Sequence, residues 1–434
     1  MRPSLVLAVC FAAASAGAVR AQVALADVPQ LARDRADRSR PQQIAALAPF
    51  LADLALDYRE NQQFLDGKIA EAARIGDGLV PLLLEKLQPA SGGSEARNLA
   101  GNCRRVLERL DPGSFVDALA EMARGNHDIA RPEAIRLLGR ADTPQAVLVL
   151  GDLLDTTTGE EKRLVVRSLR LLRAPGPADE VAPALASNDR LLREEVLAYL
   201  VAARPPQVVE FVLQALGAER DQRLLPQYVE YFIATVTAHD GVARGLLWLL
   251  DPEKLDFQDR LRLVQGLATI APEGHDPTTR RLHEIVDSGD TSSLAVQAAV
   301  TLRALGDRQG VTKLQRTLNE QLRKPQRRRE AALYEQRANL AFAIEDYGDA
   351  IADYEKIVEY TEGPAMTRRA WTGIVRSEAH RKKTSNLIKA MRSSGMTVGE
   401  LEEIGLQDPV VREALQQDKV RSFLKDLRAE QAPK

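Results

Sequence analysis

Apolar residues return every three or four positions along most of this chain, and the pattern is cut at intervals by glycine, proline or aspartate. The stretch from Leu294 to Leu318 shows the unit most clearly. Leu294, Ala298, Leu302 and Leu305 share one face of a 3.6-residue helix, thinned by Ala295 and Ala299 so that a neighbour can approach closely. Gly306 then stands where a left-handed helix end favours a residue without a Cβ, and Val311, Leu314 and Leu318 form the stripe of a second helix. So small a hairpin cannot bury its own stripe, which predicts more hairpins like it. They follow in series: first helices end near Gly76, Asp111, Gly139, Ala174, Arg204, His239, Ala271 and Gly306, at intervals of 28 to 35 residues. Self-similarity at that period marks a solenoid.

The breakers fall in step. Pro112-Gly113, Pro144, Pro175-Gly176-Pro177, Pro205-Pro206 and Pro272 lie at or just past those turns, where proline at a helix start removes only an N–H that would be unpaired anyway. Second helices follow as LVPLLLEKL from Leu79, FVDALAEMA from Phe115, AVLVLGDLL from Ala146, VVEFVLQAL from Val208 and GVARGLLWLL from Gly241. An earlier helix is predicted over Gln42–Tyr58, on Ile44, Leu47, Leu51 and Leu54. No run alternates long enough for a half-buried strand. The expected class is all-α, an α-solenoid of stacked helix pairs.

Composition sharpens this. In 434 residues, apolar residues are 45% and aromatics 4%, which favours Leu/Ala helix packing over sheets. The formal charge is −2, with both signs interspersed, so no basic field recruits nucleic acid or anionic lipid. Residues 1–21 stand apart. Arg2, an apolar run from Leu5 to Ala18, and Val19-Arg20-Ala21 before Gln22 read as a cleaved signal peptide, with a retained anchor as the alternative. Val9 is too bulky to make Cys10 a lipoprotein cysteine. Cleavage removes Arg2 and Arg20, taking the charge from −2 to −4, and leaves Cys103 as the single thiol, read as a small buried hydrophobe. The expected location is the periplasm or envelope of a bacterium.

The hairpins EAIRLLGRADTPQAVLVLGDLL (Glu133–Leu154) and AVQAAVTLRALGDRQGVTKL (Ala295–Leu314) resemble HEAT-type repeats, in the short variety also found in phycobilin lyases. The resemblance spans Asn61–Asn319, after a leader and first helix at 22–60. A basic run with Arg323, Lys324, Arg327, Arg328 and Arg329 then reads as a solvated linker over 320–330, or as a patch for an anionic partner. From Ala331, ALYEQRANLAFAIEDYGDAIADYEKIVEYTEGP resembles a tetratricopeptide repeat. Tyr334, Ala338 and Ala341 take first-helix positions, Ala350, Tyr354 and Ile357 the second, and Pro364 closes the unit. A weaker copy starts at Trp371, with Leu387 and Met391 in second-helix places and Glu378 off pattern, taking this region to 397. Residues 398–434 look like the capping helices such arrays need.

Chemistry is sparse. His127, His239, His275, His283 and His380 are scattered, and no zinc set, HExxH or GxSxG occurs. Ser91–Ser94 (SGGS) lacks the Lys-Ser/Thr of a phosphate loop. No catalytic residue, metal or cofactor is expected. The resemblance implies a concave recognition surface and a protein partner. The other helical-repeat relatives, a bilin lyase and DNA-binding enzymes, would require a cytoplasmic protein. Asn339 stands where many tetratricopeptide repeats bind a peptide carboxylate, but Glu335 holds the lysine position and Gly373 the matching place of the second copy, so that clamp does not carry over. Tyr228, Tyr231 and Trp248 form the densest aromatic group, either anchoring a partner or packing between repeats. The expected function is a non-enzymatic protein-binding scaffold. The alternatives are a ligand-enclosing enzyme or carrier and a self-associating envelope subunit.

Overall fold

The computed structural model describes residues 50–56, 62–75, 79–87, 93–125 and 130–431. The expected signal peptide and leader, Gly76 and His127 lie outside them. All regular structure among the described residues is helical, and no helix there is long and apolar enough to cross a membrane. The chain divides at Pro177 and Ala178 into two compact units. That break falls within the expected 61–319 region, at the Pro175-Gly176-Pro177 breaker, and not at the basic run.

In the first unit, helices Ser94–Arg109, Ala130–Leu138 and Gly159–Leu172 alternate with Val80–Glu85, Val116–Arg124 and Pro144–Thr156. Each short second helix packs on the next second helix, and Ala130–Leu138 packs on Gly159–Leu172. Gly139 makes the latter approach possible: a Cβ there would lie 2.7 Å from the Cα of Ser168. The buried Ser168 hydroxyl donates to the Ile135 carbonyl at 3.0 Å, satisfying itself inside the contact. Thr143 starts the next helix by accepting from the Ala146 N–H, with Pro144 at its first turn. Cys103 is buried, and burial pushes its thiol up to about 12, which fits an inert core residue.

The second unit repeats the scheme. Arg190–Ala203, Leu225–Thr235, Phe257–Ile270, Ser293–Ala304 and Ala331–Ala343 pack each on the next. Between them, a 3-10 turn at Ala182–Ala186 and helices Val209–Ala218, Asp240–Leu246, Asp276–Asp287 and Gln309–Arg323 form a second such row. The Thr301 hydroxyl donates to the Val264 carbonyl at 2.9 Å, the counterpart of the Ser168 contact. The packing of neighbours and next-but-one neighbours in chain order is consistent with a helical-repeat solenoid.

The turns show why the ends fall where they do. Gly306 has φ of 92°, and the Asp307 N–H reaches back to the Leu302 carbonyl at 2.8 Å, closing the helix as its sequence predicts. The same left-handed residue follows other helices at Asp142, Arg173, Arg204, Ala238, Gly274, Glu345 and Lys382. Most of these are not glycine, so composition concealed the recurrence.

Two boundaries differ from expectation. The helix from Gln309 runs on to Arg323, into the expected linker, and Arg327 is tied to Glu330 and Gln321. Pro364 opens a helix, Pro364–His380, that contains Trp371, because proline in a first turn loses no helical hydrogen bond. Helices Tyr347–Tyr360, Thr384–Ser394, Val398–Gln407, Pro409–Leu415 and Asp418–Glu430 complete the chain around one core that includes Ala338, Tyr354, Ile374, Leu387, Leu401, Val411 and Val420. Thr397 and Glu400 form a reciprocal capping box at the start of Val398–Gln407.

Candidate interaction site

The aromatic group separates by burial. Tyr228 and Tyr231 lie three apart on Leu225–Thr235, a helix that packs on Arg190–Ala203 and on Phe257–Ile270, and each is 0% exposed. The Tyr231 hydroxyl donates to the Pro205 carbonyl at 2.7 Å. Tyr228 faces Glu219, and burial first, then that carboxylate, raises its phenol well above the ordinary range. Both side chains are covered by the fold, as the packing alternative expects, and neither is open to a partner. Trp248 remains 37% exposed in the 3-10 turn Leu247–Leu250, with the Lys254 ammonium 5.7 Å from its ring centroid.

Asn339 leads to a larger feature. Glu335, Asn339 and Phe342 follow one face of Ala331–Ala343, and Arg369, Gly373, Arg376 and His380 follow one face of Pro364–His380. The two faces meet in a constant register. Glu335 and Arg369, 34 residues apart, pair at 2.7 Å, so both charges are spent on an internal ion pair. Asn339 is exposed, and its Oδ1 accepts from the Tyr354 hydroxyl at 2.7 Å. Burial raises the Tyr354 phenol to about 12, so it stays a donor to Asn339. The Asn339 amide N–H groups have no acceptor among the described residues.

At the far end, the Arg376 guanidinium lies 4.6 Å from the Phe342 ring centroid, and its Nε donates to Asp408 at 2.9 Å. The His380 ring stands 5.1 Å from Phe342 and 5.1 Å from Tyr347, with Nε2 3.1 Å from the Asp408 carboxylate. Asp408 is buried and caps Pro409–Leu415 through the Val410 and Val411 N–H groups. Burial alone would raise its carboxyl, but hydrogen bonds and charge from Arg376 and His380 outweigh that and hold it below the usual range.

A carboxyl lowered by folding adds stability above its unfolded pKa of about 4, and that stability is lost as pH falls through the folded value. Asp408→Asn keeps the cap but not the charge. It is expected to lower the thermal midpoint at pH 7 and to flatten the decline below about pH 4. Equal acid sensitivity in both proteins would rule out this role for Asp408.

Phe342, Arg376 and Asp408 escape sequence reading because three helices contribute them. The available signal was the spacing of 335, 339 and 342, which the 34-residue register repeats at 369, 373 and 376. The remaining described histidines are dispersed, each against a carboxylate: His239 with Glu210 at 3.2 Å, His275 with Asp240 at 3.0 Å and His283 with Asp307 at 2.7 Å. No group of three or more His, Cys, Asp or Glu is placed to hold a metal among the described residues.

No protein-family model matches the chain, and no curated protein is similar to it. Among solved structures, the crystal structure of an engineered protein is similar at 16% identity and a TM-score of 0.38, covering 80% of this chain and 98% of that one.

Proposed function

We propose that this protein is an exported, non-enzymatic scaffold that holds a protein partner on a helical-repeat surface, in the envelope of a bacterium. In this reading the pairs up to Asn319 are HEAT-like and those from Ala331 are tetratricopeptide-like, each unit being a length of solenoid. The next-but-one packing within each unit supports the architecture. The observation that carries the function is the face from Glu335 to His380, where side chains of two helices align in register and set open polar donors beside half-buried aromatic rings. Such a combination of fixed rings and unspent donors suits recognition.

The test is a photoreactive phenylalanine analogue in place of Tyr347, irradiated in intact cells, with the adducts identified by mass spectrometry. A discrete adduct with one other envelope protein is expected, on a chain whose amino terminus is Gln22. Adducts with copies of this chain alone would replace the scaffold with a self-associating structural subunit.

A further inference from the structure

We propose that Arg376 is the anchor of this face for an acidic side chain in an extended partner segment, an inference that rests on the scaffold reading above. Arginine carries five N–H donors in a planar fork. In Arg376 only Nε–H is used, on Asp408, and the N–H groups of the two terminal nitrogens have no acceptor among the described residues. The fork is nevertheless held in place, by the Phe342 ring on its face and the buried Asp408 on its edge, while its side chain stays 41% exposed. A partner therefore meets a guanidinium already fixed by the fold, which lowers the ordering cost of binding.

The open groups choose the chemistry. The Asn339 oxygen already accepts from Tyr354, and both N–H donors of its amide stay open, as do those on the terminal nitrogens of Arg376. A ligand that supplies acceptors and no donors fits both. Asp408 offsets the arginine charge, so the site offers a geometric match to one planar carboxylate more than a strong field for a multiply charged phosphate. Along the two helices, Asn339 stands about one turn before Phe342, which packs on Arg376, and His380 about one turn after Arg376, beside Tyr347. A chain can therefore pass Arg376 in both directions, which suits an internal acidic residue over a chain terminus.

The probe is the acetylated, amidated pentapeptide Ala-Ala-Glu-Ala-Phe, observed by saturation-transfer NMR against the full chain. It is expected to bind about tenfold tighter than its Gln analogue, and Arg376→Gln is expected to remove that difference. Arg376→Lys should recover part of it, since an ammonium supplies charge without the fork. Asn339→Asp keeps the acceptor for Tyr354, leaves Asp408 untouched and should weaken the Glu peptide by repulsion, so the test survives even if Arg376→Gln loosens the fold. Equal binding of the Gln analogue, preference only for a Gln peptide with a free carboxyl terminus, or full binding by both variants would overturn the assignment. Partner adducts that persist undiminished in Arg376→Gln would leave the scaffold standing and remove this anchor. Peptide binding without any partner adduct would do the reverse.

Discussion

Replacing Arg193 with alanine is expected to cost roughly 3–5 kcal/mol of stability, because it strands a buried carboxylate. Arg193 donates to both oxygens of Glu219 at 3.0 and 3.2 Å and to the Ser187 carbonyl at 2.8 Å, and the Glu219 side chain is only 4% exposed. Without the guanidinium, Glu219 keeps the Arg220 and Asp221 N–H groups but no opposing charge from Arg193, beside the buried Tyr228. The pair itself contributes much less than its rupture costs, since both ions were desolvated to form it. Arg193→Met combined with Glu219→Leu is therefore expected to recover most of the loss. Urea unfolding followed by far-UV circular dichroism decides the matter. A loss for Arg193→Ala below about 1 kcal/mol would place the pair in the weak, solvent-screened class.

Gly373→Val is the second large effect expected, at about 1–3 kcal/mol or more of overpacking. A Cβ at Gly373 would lie 2.5 Å from Cε2 and 2.7 Å from Cε1 of Tyr354. That ring is 6% exposed and its hydroxyl is bonded to Asn339, so it cannot step aside without breaking the contact that orients the exposed face. Gly373→Ala should also destabilise, though less, since alanine regains about 1 kcal/mol of helix propensity. Gly101 provides the contrast. It lies in Ser94–Arg109 with nothing within 4 Å of an added Cβ, so Gly101→Ala should stabilise by up to about 1 kcal/mol. Opposite signs of the two alanine substitutions in thermal unfolding are the expected result. Like signs would mean that the Tyr354 contact is soft.

Much of the helical order is legible in the chain itself. The spacing of Leu294, Ala298 and Leu302, the breakers at Pro144 and Pro206, and the glycine at 306 act within one or two turns, and each lies where a helix packs, begins or ends. Where local signals are weak, the structure departs from the pattern. Arg204 and Glu345 take the left-handed turn without being glycine, and the basic run from Arg323 looked like a linker although a helix enters it.

The candidate site was legible only in part. Asn339 is marked by its place along one helix, and Trp248 by being an aromatic residue in a chain that has few. Tyr228 and Tyr231 carry the same mark, yet they are interior, and nothing in their spacing distinguishes an apolar face that meets a neighbour from one that meets solvent. Nothing local distinguishes Arg376 and Asp408 from the many other charges of the chain.

By itself, then, the order of residues determined the helical class, most helix limits and the hairpin period, since a 3.6-residue stripe and its caps are properties of neighbouring residues. Tertiary structure alone decided which tyrosine is covered, which arginine is spent on Glu219 and which keeps free N–H groups, and where the chain divides. Those outcomes depend on the register in which separate helices meet. A shift of one residue between Ala331–Ala343 and Pro364–His380 would carry Phe342 away from Arg376 while leaving every local pattern intact.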